Sequence, residues 1–145
     1  MKPSLKPGIE YELRFRVGAS KTVPRLYPES PEFLSMPEVF ATGFYVGLLE
    51  WCCVMAIKPH LDGPDEMSVG THIDVSHCAG TPVGLEVVAK ARLTEVDGRR
   101  LAFEVEAYDD QELIGKGRHE RFIIDAPKFN AKMAQKKAKY ASGGA

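Results

Sequence analysis

The sequence predicts an α+β domain in which one antiparallel sheet packs around a single long helix. Two observations support this prediction. One strand pattern precedes a long, almost uncharged helical segment, and four more strand patterns follow that segment. Each strand has one apolar face that needs a cover, and only the apolar helix is long enough to provide it. At 145 residues and 44% hydrophobic composition, we expect residues 1–145 to form one domain.

The first half of the chain contains the predicted first strand and both predicted helix starts. Apolar and charged side chains alternate over residues 10–17, as in a strand with one buried face. Ser30-Pro31-Glu32 predicts a short helix. Ser35-Met36-Pro37-Glu38 combines a capping box with proline at the first helical position. We therefore expect the long helix to run from about Pro37 to Ile57.

The second half of the chain predicts strands joined by turns. Alternation of apolar and polar side chains places four strands near residues 71–77, 85–93, 101–107 and 112–125. Asp97-Gly98 is a strong hairpin signal, and His77 falls on the apolar face of its strand. The lysine-rich residues 128–145 predict a terminal helix with a frayed, glycine-ended tail. Strand, long helix and four antiparallel strands is the order of elements in a hot-dog fold.

Charge and cysteine content exclude several classes of function. Lysine and arginine total 19 against 20 acidic residues, so the chain lacks the net positive charge that is typical of proteins that bind nucleic acid or anionic membranes. Residues 1–8 hold no signal-like apolar run, and the apolar stretch 44–57 is too short to span a bilayer. The three cysteines lack zinc-ligand spacing, which predicts reduced thiols and no metal site. We expect a cytoplasmic protein.

Glu50 is the single carboxylate in the apolar helix and the first candidate for chemistry. A desolvated carboxylate is a stronger base or nucleophile if a partner keeps it ionised. The alternative is a structural ion pair with an arginine or lysine of the sheet. His77 projects from the sheet toward the helix and is the predicted partner, able to orient the acid, share its proton or protonate a leaving thiolate.

Thr42 adds a hydroxyl that could hold a carbonyl oxygen or a water. In an unbroken helix, Thr42 and Glu50 stand about 12 Å apart, at 1.5 Å per residue. Either the helix breaks near Thr42-Gly43, or the two residues serve different ends of one site. Taken singly, Thr42 more often bonds to its own helix backbone, and His77 more often is a satisfied core histidine.

The other reactive side chains give weaker signals. Cys78 points to the opposite strand face from His77, so a cysteine–histidine dyad is not expected. His72 and His119 lack a nearby partner in sequence and are interpreted as strand-surface residues. The lysines of the C-terminal segment suit a solvated helix face, although three of them could meet a phosphate: Lys132, Lys136 and Lys137.

Several long runs of residues carry a resemblance to a known family. They are Leu26-Tyr-Pro-Glu-Ser-Pro-Glu-Phe33, Phe40-Ala-Thr-Gly-Phe44, Leu49-Glu50-Trp51, Gly115 to Arg121, and Lys128-Phe-Asn-Ala-Lys132. From about Pro7 to Lys136 the chain resembles the fluoroacetyl-CoA thioesterases, which have the hot-dog fold. The resemblance implies an acyl-CoA substrate, no separate cofactor because coenzyme A is part of that substrate, and a homodimer.

The resemblance also implies roles for individual residues. The catalytic set would be Thr42, Glu50 and His77, Gly70 and Arg121 would line the acyl end, and Phe33 would belong to a lid. This chain has Met36 where the fluoroacetyl-specific enzyme has a second lid phenylalanine. A methionine fills space with less fixed geometry, so we expect a looser gate. The acyl group is expected to be short, with fluoroacetyl and other small acyl groups both left open.

The resulting prediction is an acyl-CoA thioesterase, with two rival functions left open. A hot-dog hydratase or dehydratase also sets an acid and a histidine against an acyl thioester, but it releases no thiol. A non-catalytic acyl-CoA-binding module would keep the binding groove but have no catalytic activity. Its affinity for acyl-CoA would not depend on Glu50. Release of free coenzyme A distinguishes the thioesterase from both rivals.

Overall fold

The computed structural model describes residues 1–142, in which five strands form one antiparallel sheet. The strand order across the sheet is β1-β3-β4-β5-β2, so β1 and β2 are its two edges. The strands are β1 (Glu10–Arg16), β2 (Glu66–Val75), β3 (Glu86–Asp97), β4 (Arg100–Tyr108) and β5 (Leu113–Asp125). The α-helices are α1 (Pro31–Leu34), α2 (Thr42–Ile57) and α3 (Ala126–Ser142). The order of elements is the predicted one.

The core lies between α2 and the inner face of the sheet. Every third or fourth side chain of α2 is buried, and the alternate side chains of β3 and β4 meet them. The fully buried larger side chains in this layer include Tyr45, Leu49, Ile57, Leu93 and Phe103. The sheet covers only one side of α2, so Gly47 and Trp51 on its other side remain exposed.

The predicted start of the long helix at Pro37 is wrong, because α2 begins at Thr42. Val39 and Phe40 form isolated β-bridges instead, and the backbone of residues 39–41 bonds to distant segments. The Phe40 N–H donates to the Thr81 carbonyl at 2.8 Å, and the Ala41 N–H donates to the Lys21 carbonyl at 3.0 Å. These long-range hydrogen bonds prevail over the local capping signal at Ser35-Met36-Pro37-Glu38.

The short helix α1 forms as predicted. The Ser30 hydroxyl accepts a hydrogen bond from the Phe33 N–H at 3.1 Å, which caps the helix, and Pro31 takes its first position. The preceding segment packs on the start of α2 through Leu26. A β-carbon at Gly43 would lie 3.0 Å from Leu26 Cδ1, so the glycine permits this close contact. The segment carrying α1 is thereby fastened to the Thr42 end of α2.

Strand β2 is longer than predicted and ends before His77. It pairs with β5 in a register that shifts between Gly70 and His72, which is a β-bulge. After β2 the chain stays beside β5, because the Ser76 N–H donates to the Lys116 carbonyl and the Cys78 N–H to the Ile114 carbonyl. His77 is therefore held in place although it lies beyond the strand.

The C-terminal helix α3 begins at Ala126, two residues earlier than predicted. The predicted frayed tail at 143–145 lies outside the described residues.

Across residues 1–142, no helix is long and apolar enough to cross a bilayer. The same residues contain no cluster of three or more histidine, cysteine, aspartate or glutamate side chains suited to hold a metal ion.

Candidate functional site

Glu50 lies in the third turn of α2 and pairs with an arginine of the sheet. Arg121 on β5 donates from Nη1 to Glu50 Oε1 at 3.0 Å. The arginine is only 5% exposed, whereas the glutamate side chain is 40% exposed. The expectation of a water-poor carboxylate is therefore wrong for the single chain, because the outer side of α2 is open. The ion pair with a sheet arginine does form, and it orients the carboxylate without by itself assigning Glu50 a structural or a chemical role.

Arg121 is fixed by further acceptors on the neighbouring edge strand. Its Nε donates to the Ser68 hydroxyl at 2.8 Å, and its Nη2 donates to the Ser68 carbonyl at 2.9 Å. Gly70 lies against the same group, since a β-carbon there would overlap Glu50 Oε1 and lie 3.4 Å from Arg121 Nη1. Glu50, singled out by its place in the apolar helix, thus forms one cluster with Arg121 and Gly70, which the family resemblance implied as site residues.

Thr42 and His77 form a second cluster at the start of α2. The Thr42 hydroxyl lies 2.8 Å from His77 Nδ1, within hydrogen-bond distance. The imidazole stacks on Tyr45, with ring centroids 4.5 Å apart and planes inclined by 25°. Burial lowers the pKa of His77 below its ordinary value of 6.5, so the ring is neutral at neutral pH. Among the described residues, His77 Nε2 has no hydrogen-bond partner.

The predicted contact between Glu50 and His77 does not form within one chain. Each has another partner, Arg121 for the glutamate and Thr42 for the histidine. Eight residues of helix separate Thr42 from Glu50, which is about 12 Å along the axis. Because α2 begins at Thr42, the helix has no break between the two residues. Both clusters lie on the side of α2 that faces β2 and the segment after it.

The predicted lid residues lie near the Thr42 end of α2. Phe33 is half-buried on α1, and its ring contacts Tyr27 edge-on at 5.9 Å between centroids. Met36 follows α1 and is 47% exposed. Among the described residues, no ring contact or side-chain hydrogen bond joins Phe33 or Met36 to the two clusters.

His119 shows where sequence reasoning missed a residue of this region. It was predicted as a strand-surface residue, yet it is only 2% exposed. Its Nε2 lies 3.1 Å from Arg121 Nη1, in the centre of the Glu50 cluster. The strand pattern of β5 could have predicted this burial. His119 lies two residues before Arg121 and four before Ile123, so all three side chains point to the same, buried face of the strand.

Two cavities lie away from both clusters. The larger, of about 1020 Å³, lies on the outer sheet face and is lined mostly by charged side chains. Residues that face each other on adjacent strands there carry opposite charges, as in Lys90 with Glu106 and Glu104 with Arg118. The positive and negative charges of each pair offset each other. The smaller, of about 300 Å³, is an apolar recess between α2 and β1 that includes Phe44 and Trp51.

Comparison with known proteins gives consistent matches. The sequence pattern of the fluoroacetyl-CoA-specific thioesterase family matches residues 21–127. A fluoroacetyl-CoA thioesterase of Streptantibioticus cattleyicolor is 53% identical over 136 residues, covering 94% of this chain and 97% of that protein. A solved structure of a fluoroacetyl-CoA thioesterase is 53% identical, with a TM-score of 0.89 over 92% of this chain and 98% of that chain.

More distant structural similarity supports the architecture. A hot-dog-like protein from Thermanaerovibrio acidaminovorans shares 19% identity and a TM-score of 0.75, over 93% of each chain. Together with a helix packed against a curled five-stranded antiparallel sheet, this similarity confirms the predicted hot-dog fold.

Proposed function

Because the chain belongs to the fluoroacetyl-CoA-specific thioesterase family and is therefore a thioester hydrolase, we propose that it converts a short-chain acyl-CoA to the free acid and coenzyme A. The observation that carries the residue assignment is the pairing of Glu50 with the buried Arg121. An otherwise uncharged helix here presents one carboxylate, oriented by a fixed cation and open on its other side. A carboxylate held in this way is suited to attack or to activate water.

In the proposed reaction, Glu50 acts on the thioester carbonyl carbon. It either attacks directly, forming an anhydride as the coenzyme A thiolate leaves, after which water cleaves the anhydride to the free acid and the Glu50 carboxylate, or it removes a proton from a water that attacks. In the proposed tautomer, His77 donates its Nδ1–H to the Thr42 oxygen, so the Thr42 hydroxyl hydrogen is free to stabilise the developing oxyanion. The neutral ring accepts at Nε2 the proton that Glu50 removes from water, and then delivers that proton to the departing sulfur. In a single turnover in heavy-oxygen water, label in the Glu50 side chain would demonstrate direct attack, because water that opens the anhydride at the glutamyl carbonyl leaves its oxygen there.

The acyl group is proposed to lie near Gly70 and Arg121, with Phe33 and Met36 as its cover. Gly70 leaves room beside the carboxylate where any side chain would intrude. The flexible, exposed Met36 gives a less rigid cover than a phenylalanine would. We therefore propose that the acyl group is short but less restricted than fluoroacetyl. No cofactor is needed, because coenzyme A is part of the substrate.

We further propose a homodimer, which would cover two exposed apolar features. The outer side of α2 carries Gly47, where a β-carbon would meet nothing within 4 Å, and Trp51, which is 49% exposed. The edge strand β2 has unpaired backbone along one side and carries Met67 and Ile73, which are 42% and 40% exposed. An exposed apolar edge strand is a pairing site, and small helix residues permit close approach of a second helix.

The dimer would also bring the two clusters together. If two copies of α2 cross in opposite directions near Val46-Gly47, Thr42 of one copy comes opposite Glu50 of the other. Each of two equivalent sites would then combine Thr42 and His77 from one copy with Glu50, Gly70 and Arg121 from the other. This arrangement would also remove the remaining solvent exposure of Glu50.

The proposed location is the cytoplasm. All three cysteines are unbridged: Cys52, Cys53 and Cys78. Unbridged thiols suit a reducing compartment, and acyl-CoA esters are intracellular metabolites.

Release of coenzyme A tests the proposed activity. A thiol reagent would follow the reaction with acetyl-, fluoroacetyl-, propionyl-, butyryl- and phenylacetyl-CoA, for the wild type, Glu50→Gln and the exposed-site control Glu112→Gln. We expect release from at least one short-chain ester, loss of that release in Glu50→Gln, and full activity in Glu112→Gln. No release from any ester would contradict the proposed reaction, and an active Glu50→Gln variant would contradict the proposed role of the glutamate.

A further inference from the structure

His119 is a buried histidine whose two ring nitrogens both have partners. Its Nδ1 lies 2.7 Å from the His72 carbonyl oxygen, and its Nε2 lies 3.1 Å from Arg121 Nη1. The ring also stacks on Phe103, with centroids 6.4 Å apart and planes inclined by 27°. At 2% exposure it has almost no contact with water. The position and plane of the imidazole are therefore set by contacts with β2, β4 and β5.

These partners determine which ring nitrogen carries the proton. A carbonyl oxygen only accepts, so Nδ1 carries the hydrogen and donates it to His72. Nε2 then presents its lone pair and accepts a hydrogen bond from the Arg121 guanidinium. Burial lowers the pKa of His119, and the charge of Arg121 lowers it further, whereas the His72 carbonyl and Glu50 act in the opposite direction. The ring is neutral at neutral pH, with the proton on Nδ1.

A neutral acceptor has a specific consequence for Arg121. A carboxylate at position 119 would compete with Glu50 for the charge of the guanidinium. The imidazole orients the Nη1 group without carrying an opposing charge, so Glu50 remains the carboxylate paired with Arg121. The Nη1 group then has two acceptors, His119 Nε2 at 3.1 Å and Glu50 Oε1 at 3.0 Å.

The backbone of β2 at Gly70 packs closely against the side chains of Glu50, His119 and Arg121. A β-carbon at Gly70 would overlap Glu50 Oε1 and would lie 3.3 Å from His119 Cε1 and 3.4 Å from Arg121 Nη1. The β-bulge between Gly70 and His72 falls here, so one irregularity of β2 supplies both the close-packed glycine and the carbonyl that fixes the His119 ring.

We propose that His119 is a positioning residue of the thioesterase site, whose neutral ring holds Arg121 and, through Arg121, the carboxylate of Glu50. The inference rests on the proposed catalytic role of Glu50. His119 does not touch the substrate, and its effect reaches the reaction through the direction in which the guanidinium presents Nη1 to the carboxylate. Displacement of a reacting group by about 1 Å can cost on the order of 100-fold in rate.

Two substitutions separate positioning from simple space filling. His119→Gln places an amide oxygen near the position of Nε2 and keeps an acceptor for Arg121. His119→Asn places its amide near Nδ1, keeps a donor for the His72 carbonyl, and removes the acceptor. Glu50→Gln is measured in the same assay, and circular dichroism checks that each variant folds.

We expect His119→Asn to lower kcat about 10- to 100-fold with little change in KM, and His119→Gln to keep most of the wild-type kcat. Equal kcat values for both variants and the wild type would overturn the inference, as would equal losses in both variants. If the wild type releases no coenzyme A, the proposed function fails, and if Glu50→Gln stays active, the proposed role of the glutamate fails. If Glu50→Gln is inactive while His119→Asn is fully active, only the role of His119 fails.

Nitrogen NMR of the wild-type imidazole keeps the inference testable if either variant does not fold. Between pH 7 and pH 8, we expect His119 to show the spectrum of a neutral ring protonated at Nδ1. A ring protonated at Nε2, or at both nitrogens, could not accept from Arg121 and would overturn the inference.

Discussion

The Thr42 hydroxyl lies 2.8 Å from Nδ1 of His77 and ties the first turn of α2 to the segment that follows β2. The same imidazole stacks on Tyr45, nearly one turn further along that helix, at 4.5 Å between centroids. One helix therefore fixes both the plane of the ring and the position of one of its nitrogens. Helix α2 thus carries Glu50 and also orients His77, which we propose acts with Glu50 of a second copy.

Removal of the Thr42 hydroxyl should reduce catalysis. Thr42→Val has nearly the same shape but leaves His77 Nδ1 without its partner and the oxyanion without a donor. We expect kcat to fall about 100-fold, the order found when one oxyanion donor is removed. Thr42→Ser, which keeps the hydroxyl, should retain most of the activity. Similar kcat values for the valine and serine variants would contradict a role for the hydroxyl.

Gly70→Ala should displace the Glu50 carboxylate. The new methyl group would overlap Glu50 Oε1, so the carboxylate must move away from Arg121. We expect kcat to fall about 10- to 100-fold, measured as coenzyme A release. Gly18→Ala is the matched control, because a β-carbon there meets nothing within 4 Å. Unchanged kcat in Gly70→Ala would show that the position of the carboxylate is not critical.

Met36→Phe should narrow the range of acyl groups. A rigid ring in place of a flexible side chain leaves less room for propionyl and butyryl groups than for acetyl or fluoroacetyl groups. The ratio of kcat/KM for fluoroacetyl-CoA to that for butyryl-CoA should therefore rise. Met133→Phe on α3 serves as control, since Met133 is 42% exposed and Met36 is 47% exposed. An unchanged ratio would remove Met36 from the proposed lid.

Mixing two inactive variants should restore activity if the site is shared between copies. Co-expressed Glu50→Gln and His77→Ala chains form mixed dimers in which one of the two sites has both native residues. Half of randomly formed dimers are mixed, so about one quarter of the wild-type activity should return. A site built within one chain would give no recovery. The dimer itself is checked by sedimentation.

Stability should decrease with acidity in a window set by two histidines. Burial lowers the pKa of both His77 and His119 below the ordinary 6.5. Their contribution to the free energy of unfolding is complete above pH 6.5, because both folded and unfolded rings are then neutral. It is lost as the pH falls below 6.5 through the lowered folded-state values, because the unfolded chain binds protons first.

Urea unfolding at several pH values measures this loss. The pKa of Glu66 is also lowered from its ordinary value of 4.5, so Glu66 changes the free energy of unfolding only below pH 4.5. The range from pH 4.5 to pH 6.5 therefore reports on the histidines. His119→Gln lacks one of the two histidines and should show a shallower slope in that window. A slope of zero in the wild type would contradict the lowered pKa values.

Much of the architecture could be predicted from the sequence because periodicity and turn chemistry are local. The alternation in residues 10–17 gave β1, Ser30-Pro31 gave α1, and Asp97-Gly98 gave the hairpin between β3 and β4. Gly98 indeed takes the left-handed conformation, with φ of 60°. In each case the residues that determine the structure are neighbours along the chain.

Contacts between distant residues were decided by the tertiary structure. The start of α2 moved from Pro37 to Thr42 because the backbone of residues 39–41 bonds to residues near 21 and 81. The partner of Glu50 lies 71 residues away on β5, and the His119 ring is held by the His72 carbonyl of the neighbouring strand. The sequence by itself determined which elements form and singled out Glu50, whereas strand register and packing determined that Arg121 and His119 surround it.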